Sequence, residues 1–307
     1  MMKTPSLRLA RTFFLAPLIA ASAATSSHAA LLVYEGFAGY STGELNGQTA
    51  SLSSQGLSGA WDGSAYTTRH QVTSTGLNFA GLATSGGALT IGNSTRLSGI
   101  AMSHAGVAPG GTLYSSYLVQ RSVAATTESG ILTRIHDSSA TATGGYFSAF
   151  ADGRAGTIAA VGYDTSFNPA NSSPGSSPVS AGETFIVISS FTNVGNSSAG
   201  NASLYVLSQP QYTNLLTLGL GSLSSLTVGT GADQAWVSAS HNGVTFGGTF
   251  DSTDYLQLLS LQEGGIIDEV RYGTELGDVL PVPEPSGLLL AGVAMAGALV
   301  RRTRKNR

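Results

Sequence analysis

The sequence of residues 184–191 is TFIVISSF. Successive side chains of a β-strand point to opposite faces of the sheet, so Phe185, Val187 and Phe191 share one face. Ile186 and Ile188 share the other face. Because both faces are apolar, this segment is predicted to be an inner strand of a sheet that is covered on both sides.

Short segments rich in strand-forming residues recur along the chain between turns rich in Gly, Ser and Asn. They are residues 31–35, 112–120, 131–135, 146–150, 158–163, 184–191, 202–207, 235–238, 255–261 and 266–272. Many short strands separated by turn signals predict an all-β sandwich or barrel. No convincing amphipathic helix is recognised between residues 30 and 281. A parallel β-helix is the structural rival, but it usually has a repeat, and no fixed repeat is found.

Two stretches are predicted to be loops by their turn chemistry. Residues 164–180 contain three prolines in turn-forming contexts, and residues 193–201 are rich in Gly, Ser and Asn between two good strands. The second stretch therefore predicts a hairpin. Neither loop differs enough in composition from its surroundings to mark a domain boundary, so we expect one domain.

The charge of the chain is distributed unevenly. Of 14 Lys and Arg residues, three precede residue 30 and five follow residue 300, while the formal net charge is −3. The part between keeps six arginines and no lysine: Arg69, Arg96, Arg121, Arg134, Arg154 and Arg271. The body is therefore acidic, which argues against nucleic acid, anionic lipid and polyanionic glycan as electrostatic partners. The chain has no cysteine, which excludes disulfides and thiolate metal sites.

The N-terminus has the three parts of a secretory signal peptide. Lys3, Arg8 and Arg11 form a basic region, an apolar run covers residues 13–20, and small residues precede Ala29. We expect signal peptidase to cleave after Ala29. A retained anchor is the alternative, but the apolar run is short and a cleavage site follows it.

The C-terminus consists of a proline-containing segment, an apolar run and a basic end. The run at residues 288–300 is shorter than the roughly 20 residues that span a bilayer comfortably. The basic residues that follow are expected to stay in the cytoplasm, which places the body on the outer side. Prolines keep the preceding peptide extended and accessible to a processing enzyme. A plain C-terminal anchor is the alternative.

This tail resembles the PEP-CTERM sorting signal of Gram-negative bacteria. The residues that carry the resemblance are Val282, Pro283, Glu284 and Pro285, then the apolar segment, then the basic cluster that begins with Arg301 and Arg302. The resemblance implies cleavage by an exosortase, a membrane cysteine transpeptidase-like enzyme, in species that make extracellular polysaccharide. It implies nothing about the body, because such signals are attached to many unrelated domains.

The body resembles laminin-G-like, concanavalin-A-like jelly rolls at its start and its end. The start is the Tyr34-Glu35-Gly36-Phe37 stretch followed by Gly59-Ala60-Trp61, and the end is residues 267–279. This resemblance implies an antiparallel β-sandwich (jelly roll) in which the first and last strands lie near each other. On the closing strand, alternation predicts Ile266, Asp268, Val270 and Tyr272 on one face and Ile267, Glu269 and Arg271 on the other.

The expected organisation of the chain has five parts. They are a signal peptide at 1–29, a β-sandwich at 30–278, a linker and PEP motif at 279–285, a single hydrophobic sorting helix at 286–300 and a basic cytoplasmic tail at 301–307. The chain is expected to be anchored transiently in the inner membrane and then to reach the cell surface or the extracellular space.

Catalytic signals are weak. Residues 39–43 match the G-x-S-x-G pattern, but turn-like residues follow where a nucleophile elbow needs a helix, so a loop is favoured. Glycoside hydrolysis needs two carboxylates facing each other across a cleft. Asp268 and Glu269 are adjacent and are predicted to point to opposite faces. Neither Glu183 nor Glu263 has an obvious partner.

Metal ligation is also weakly indicated. The four histidines of the body show no metal-ligand spacing, and each is interpreted as a loop or surface residue: His70, His104, His136 and His241. Asp251 and Asp254, with Ser252 and Thr253, offer oxygen ligands for Ca²⁺, but no D-x-D-x-D-G loop is present. A solvated turn is favoured, and no cofactor is expected.

Several aromatic residues are candidates for a sugar-stacking platform, with core packing as the alternative. They are Trp61, Tyr66, Tyr163, Phe167, Tyr212, Trp236 and Tyr255. The expected function is that of a non-enzymatic protein of the cell surface or extracellular matrix, with neutral exopolysaccharide as a partner. The alternatives are a carbohydrate-binding module and a secreted glycan hydrolase or lyase.

Overall fold

The structure is a computed structural model. It describes residues 31–63, 70–79, 82, 84, 86–92, 96–104, 106–121, 130–136, 146–150, 159–163, 182–196, 198–246, 250–261 and 264–280. Its strands are, in chain order, β1 (Leu31–Glu35), β2 (Gly43–Glu44), β3 (Leu57–Gly63), β4 (His70–Thr73), β5 (Ala88–Ile91), β6 (Arg96–Met102), β7 (Gly111–Arg121), β8 (Gly130–His136), β9 (Tyr146–Phe150), β10 (Ala159–Tyr163), β11 (Thr184–Val194), β12 (Ala199–Ser208), β13 (Thr227–Val228), β14 (Gln234–Ala235), β15 (Val237–Thr245), β16 (Tyr255–Leu261) and β17 (Gly265–Gly273). The helices are α1 (Gln209–Leu218), a 3₁₀ turn (Leu220–Ser225) and α2 (Leu276–Val279).

The strands form two large antiparallel sheets. The nine-stranded sheet has the order β15-β12-β11-β7-β17-β5-β4-β2, with β1 also paired to β17. The six-stranded sheet has the order β10-β9-β8-β16-β6-β3. The prediction of an all-β antiparallel sandwich is therefore confirmed. The expected hairpin after β11 is also confirmed, because β11 pairs antiparallel with β12.

The two sheets enclose the main core, and β11 shows why both of its faces are apolar. Phe185, Val187 and Phe191 belong to the core between the sheets. Ile186 and Ile188 belong to a second apolar cluster on the outer side of the nine-stranded sheet. The prediction of an inner strand covered on both sides is confirmed, since β11 lies between β12 and β7.

A helical layer covers that outer side, which corrects the expectation that the body has no convincing helix. Helix α1 follows β12 directly, with a proline in its first turn. Its buried residues are Gln211, Tyr212 and Leu215. The side chain of Gln211 accepts a hydrogen bond from the backbone N–H of Ser208 at 3.0 Å, which satisfies a donor at the start of the helix.

The first and last strands pair, as the resemblance to jelly rolls implies. In the antiparallel register, Leu31 lies opposite Gly273 and Glu35 opposite Val270. Strand β5 pairs with β17 at residues 265–267, so β1 and β5 share one edge of β17. The opposite edge of β17 pairs with β7.

The predicted faces of β17 are wrong because the strand contains a bulge. The register with β7 shifts between Asp268 and Arg271, and Glu269 has a φ of 52°. A bulge places one extra residue on the strand and disrupts the alternation of side chains. Ile267, Val270 and Tyr272 consequently all belong to the core between the sheets.

Shortening Val270 should destabilise the sandwich. Val270 is fully buried in the main core, so Val270→Ala is expected to cost about 1–3 kcal/mol through lost burial and a cavity. Glu275 is exposed just before α2, and Glu275→Ala should cost about 0.5 kcal/mol or less. Urea unfolding of both variants measures the difference. Equal, small shifts would contradict the packing of β17 described above.

The packed structure continues to Leu280. Val279 and Leu280 are buried, and Leu280 belongs to the cluster under the helical layer. The expected signal peptide at 1–29 and the segments at 281–307 lie outside the described residues. Within the part of the chain that the structure describes, no helix is long and apolar enough to cross a membrane.

Candidate functional site

Three buried carboxylates lie where β1, β5 and β17 meet. Glu35 is fully buried and accepts hydrogen bonds from the Phe37 backbone N–H at 2.7 Å, Tyr40 Oη at 2.7 Å and Ser54 Oγ at 2.8 Å. Burial is the main reason why the pKa of Glu35 is raised, and the neighbouring Glu269 adds to the shift. Burial and the Glu35 carboxylate together raise the pKa of Tyr40 to about 12.

Glu269 and Asp268 are both buried, and each carboxylate is bound by neighbouring groups. Glu269 accepts hydrogen bonds from Tyr34 Oη at 3.0 Å and from the Arg271 guanidinium at 2.7 Å. Asp268 accepts from the backbone N–H groups of Leu77 and Glu269, both at 2.8 Å.

The prediction that Asp268 and Glu269 point to opposite faces is wrong. They occupy the two positions between the core residues Ile267 and Val270, and their partners Leu77 and Arg271 lie on the side away from the sandwich core. The physical reason is the bulge. Both carboxylates are nearly inaccessible, with exposures of 0% and 2%. Asp268 binds the backbone of the segment after β4 to β17, and Glu269 binds the Tyr34 side chain of β1 to β17.

The stability of the fold should fall as pH rises from neutrality. Burial raises the pKa of Asp268 from 3.8 to about 8, although its two backbone hydrogen bonds oppose the shift. Between pH 3.8 and about 8 the folded state keeps a proton that the unfolded state has released. The free energy of unfolding therefore falls as pH rises, until Asp268 also ionises in the folded state near pH 8. Between pH 6.5 and 8.5 the loss should be about 2 kcal/mol, at roughly 1.4 kcal/mol per pH unit below the folded pKa.

The window is chosen because of His70. Burial lowers the pKa of His70 from 6.5 to about 4, so this residue opposes the trend only below pH 6.5. Urea unfolding at pH 6.5, 7.5 and 8.5 measures the slope. Asp268→Asn has no proton to lose, and its slope should be smaller whatever its absolute stability. Parallel slopes for the two proteins would rule out Asp268 as the titrating group.

The outer face of the six-stranded sheet carries a polar group on its two central strands. Ile131 and Ile135 of β8 belong to the core, as do Leu256 and Leu258 of β16. Alternation therefore places Arg134, His136 and Gln257 on the outer face of the sheet. Arg134 Nε donates to Gln257 Oε1 at 2.7 Å. Burial lowers the pKa of Arg134 to about 10. Tyr255 lies opposite His136 on the same face and is half-buried.

A groove with a volume of about 670 Å³ runs beside α1, on the outer side of the nine-stranded sheet. We call it the α1 groove. Its lining residues are Asn78, Glu183, Thr184, Gln209, Pro210, Thr213, Asn214 and Thr217. Five of them come from one face of α1, at spacings of four residues that place side chains side by side. The others come from the start of β11 and from the segment after β4.

The catalytic and metal patterns of the sequence fall in turns. Residues 39–42 lie between β1 and β2, and residue 43 begins β2, so a strand follows in place of a helix. Asp251 Oδ1 accepts from the N–H of Thr253 at 2.8 Å, and Asp254 Oδ2 accepts from the N–H of Asp251 at 2.8 Å. Among the residues described, no group of three or more His, Asp or Glu side chains is placed to hold a metal ion.

Two of the histidines differ from the expectation of loop or surface positions. His70 of β4 and His136 of β8 are buried strand residues. The Nδ1 atom of His70 is hydrogen-bonded to Ser98 Oγ, which joins the two sheets. His104 stacks on Phe250 with ring centroids 4.6 Å apart, and His241 is half-buried on β15. Glu183 lines the α1 groove, whereas Glu263 lies outside the described residues.

Most of the described aromatic candidates pack in the interior. Trp61 is buried in the main core, Tyr212 is buried under α1, and Trp236 packs edge-on against Phe185 at 5.5 Å. Tyr255 lies on the outer face of the six-stranded sheet. Tyr66 and Phe167 lie outside the described residues, and for Tyr163 only the backbone is described. No continuous aromatic strip is therefore seen on the described part of the surface.

The geometry defines an antiparallel β-sandwich in which Leu280, the last residue that the structure describes, is still buried. The family described as the PEP-CTERM protein-sorting motif matches residues 281–305, directly after this residue. The chain thus carries the sorting signal of an exported protein that is processed by an exosortase, as the tail predicts. None of the curated proteins compared with the chain matches it.

Several solved structures are similar to this chain at low identity. A protein of unknown function from Shewanella oneidensis MR-1 is 12% identical, with 91% of this chain and 99% of that chain covered and a TM-score of 0.34. The lectin UEA-II complexed with galactose is 9% identical, with 76% and 97% covered and a TM-score of 0.30. Peanut lectin with a peptide is 12% identical, with 75% and 99% covered and a TM-score of 0.27. These TM-scores are low, so the fold assignment rests on the strand order and pairing given above.

Proposed function

We propose that this chain is a non-enzymatic protein of the cell surface or extracellular matrix, and that its β-sandwich is the part delivered there. The observation that carries the proposal is the direct junction between fold and sorting motif. Leu280 is buried against the sandwich, and the motif begins at residue 281. The PEP segment at residues 282–285 follows Leu280 within a few residues. Because each residue spans no more than about 3.6 Å, this segment lies close to the folded domain.

The pairing of the first and last strands supports delivery by a tail of this kind. Because β1 and β17 are antiparallel, Leu31 lies beside Gly273 at one end of the nine-stranded sheet. The chain therefore enters and leaves this sheet at the same end. A signal peptide before residue 30 and a sorting segment after residue 281 can then both lie in one membrane without disrupting the pairing of the strands.

The use of the buried carboxylates supports a non-enzymatic role. Glu35, Asp268 and Glu269 accept hydrogen bonds from groups that hold β1, β17 and their neighbouring loops together. They are closed to solvent, so a glycan cannot reach them without unfolding of this region. A glycan hydrolase or lyase remains the alternative, and incubation with neutral polysaccharides should release no new reducing ends if the proposal holds.

Processing tests the proposed delivery. The mature protein recovered from the host envelope should lack residues 1–29 and should end near Pro283–Pro285. Intact-mass measurement determines both ends at once. As a control, replacement of Pro283 and Pro285 by alanine should leave the tail uncut. A wild-type protein that still ends at Arg307 would refute exosortase processing and, with it, the proposed delivery.

A carbohydrate-binding module is the second candidate function. The α1 groove favours it, because its volume lies within the range of roughly 300–1,000 Å³ that is typical of small-ligand sites.

A further inference from the structure

The α1 groove presents polar side chains that make no hydrogen bond within the described part of the chain. In the described part of the chain, the side chains of Asn78, Glu183, Gln209 and Asn214 have no hydrogen-bond partner. Asn78, Glu183 and Gln209 are exposed, and Asn214 is half-buried. Each amide offers both donors and an acceptor, and the carboxylate offers acceptors only. A ligand in the groove would therefore meet donors and acceptors side by side.

The threonines of the groove add acceptors. Thr213 Oγ1 donates to the carbonyl of Gln209 at 3.0 Å, and Thr217 Oγ1 donates to the carbonyl of Thr213 at 3.1 Å. Their hydroxyl protons are thus committed to the helix backbone, while the oxygen lone pairs remain available to a ligand. Hydroxyl groups of a ligand, which donate one hydrogen bond and accept others, fit this mixture.

The walls of the groove are held in place by packing beneath them. Phe79 and Tyr212 are both fully buried, and their rings pack with centroids 5.6 Å apart, which joins the segment after β4 to the underside of α1. The N–H of Leu77, next to Asn78, is bound by the Asp268 carboxylate. The site is consequently preorganised, so little ordering entropy is lost when a ligand binds.

The charge of the groove restricts its ligand. Among the described lining residues, Glu183 is the single ionisable side chain, and none is a Lys or an Arg. An anionic ligand would meet a like charge without a compensating cation, which disfavours uronic-acid or sulfated chains. The exposed lining leaves the groove open along α1, so that an internal stretch of a polymer can enter.

From these observations we propose that the α1 groove binds a short segment of a neutral, polyhydroxylated polysaccharide. This inference deepens the proposed surface role and rests on it. Asn78 and Asn214, which come from two different segments of the chain, form hydrogen bonds with the sugar hydroxyls. Glu183 accepts hydrogen bonds from further hydroxyl groups and disfavours anionic chains.

Affinity electrophoresis of the full chain in detergent tests the site. The gels contain dextran, galactomannan, xylan, alginate or the neutral polysaccharide fraction of the host's extracellular matrix. We expect retardation by at least one neutral polysaccharide and none by alginate. Asn214→Ala should weaken binding about tenfold, which is the loss expected for one hydrogen bond to the ligand, and adding Asn78→Ala should weaken it further.

The matched control is Asn242→Ala. Asn242 is exposed on β15, outside the groove, and its replacement should leave retardation unchanged. Circular dichroism of each variant verifies that the fold is retained. Lack of retardation of the wild type by every neutral polysaccharide would overturn the proposal, as would equal retardation of the wild type and the groove variants. Neither result bears on tail processing, which the intact mass reports separately.

Discussion

Gly56→Ala should destabilise the sandwich by at least about 3 kcal/mol, which belongs to the upper part of the range for single substitutions. A Cβ atom at this position would lie 1.9 Å from the carbonyl oxygen of Leu32, which is a backbone atom of β1. No side-chain rotation relieves such a contact. Gly56 also has a φ of 68°, a left-handed conformation that costs roughly 1–2 kcal/mol for a residue with a Cβ.

The Gly56→Ala substitution should also weaken the pairing of β1, because the residue before Gly56 pairs with that strand. Gln55 and Tyr34 exchange two backbone hydrogen bonds, at 2.9 and 3.0 Å. The control is Gly59→Ala, since Gly59 has a similar φ of 78° but open space within 4 Å of the added Cβ. We expect it to cost about 1–2 kcal/mol from conformation alone. Thermal or urea unfolding compares the variants, and equal effects would show that no close approach to β1 exists.

Tyr272→Ala should cost about 3–5 kcal/mol, as removal of a fully buried aromatic side chain usually does. Tyr272 is 1% exposed in the core between the sheets, and its ring stacks on Phe250 with centroids 6.2 Å apart. Its hydroxyl donates to Thr133 Oγ1 at 2.7 Å, which links β17 of one sheet to β8 of the other. The variant loses both the packed ring and this link.

Two further variants separate these contributions. Tyr272→Phe keeps the ring and removes the hydrogen bond, so it should cost about 1 kcal/mol. Tyr255→Ala makes the same change at a half-buried position on the outer face of the six-stranded sheet, and it should cost less than Tyr272→Ala. If Tyr272→Ala were no more destabilising than Tyr255→Ala in urea, the ring would not be packed between the sheets.

The fold class could be predicted because the long strands carry a strong two-residue pattern. The segments at 31–35, 146–150 and 255–261 were placed with the bounds that the structure gives them. Short strands such as Gly43–Glu44 and Ala88–Ile91 were missed, since so few residues show no alternation. The segment at 235–238 was treated as one strand, whereas the structure divides it between β14 and β15.

The helix and the bulge could not be recognised from periodicity. The buried stripe of α1 is narrow and includes the polar Gln211, and Pro210 resembles a helix breaker unless it is assigned to the first turn. A serine followed three residues later by glutamine was the available signal, which is typical of a helix start. The bulge at Glu269 has no glycine to mark it, so strict alternation gave the wrong faces for β17.

The candidate sites differ in how far the sequence could reveal them. Glu35 shares a strand face with the buried Val33, so a search for charged residues on apolar faces would have found it. The α1 groove could not be found in this way. Its lining comes from the segment after β4, the start of β11 and helix α1, which only the folded chain brings together.

The position of β17 bears on how the protein can cross a membrane. It joins β7 on one side to β5 and β1 on the other, and it is the last strand in the described part of the chain. Tyr34 and Glu269, which are hydrogen-bonded, are 235 residues apart. Contacts over such separations form slowly. Until β17 has emerged from the membrane, β7 cannot be joined to β5 and β1 in the nine-stranded sheet. We therefore expect the body to stay unfolded enough for translocation, and to complete its fold only when the segment immediately before the sorting motif has crossed the membrane.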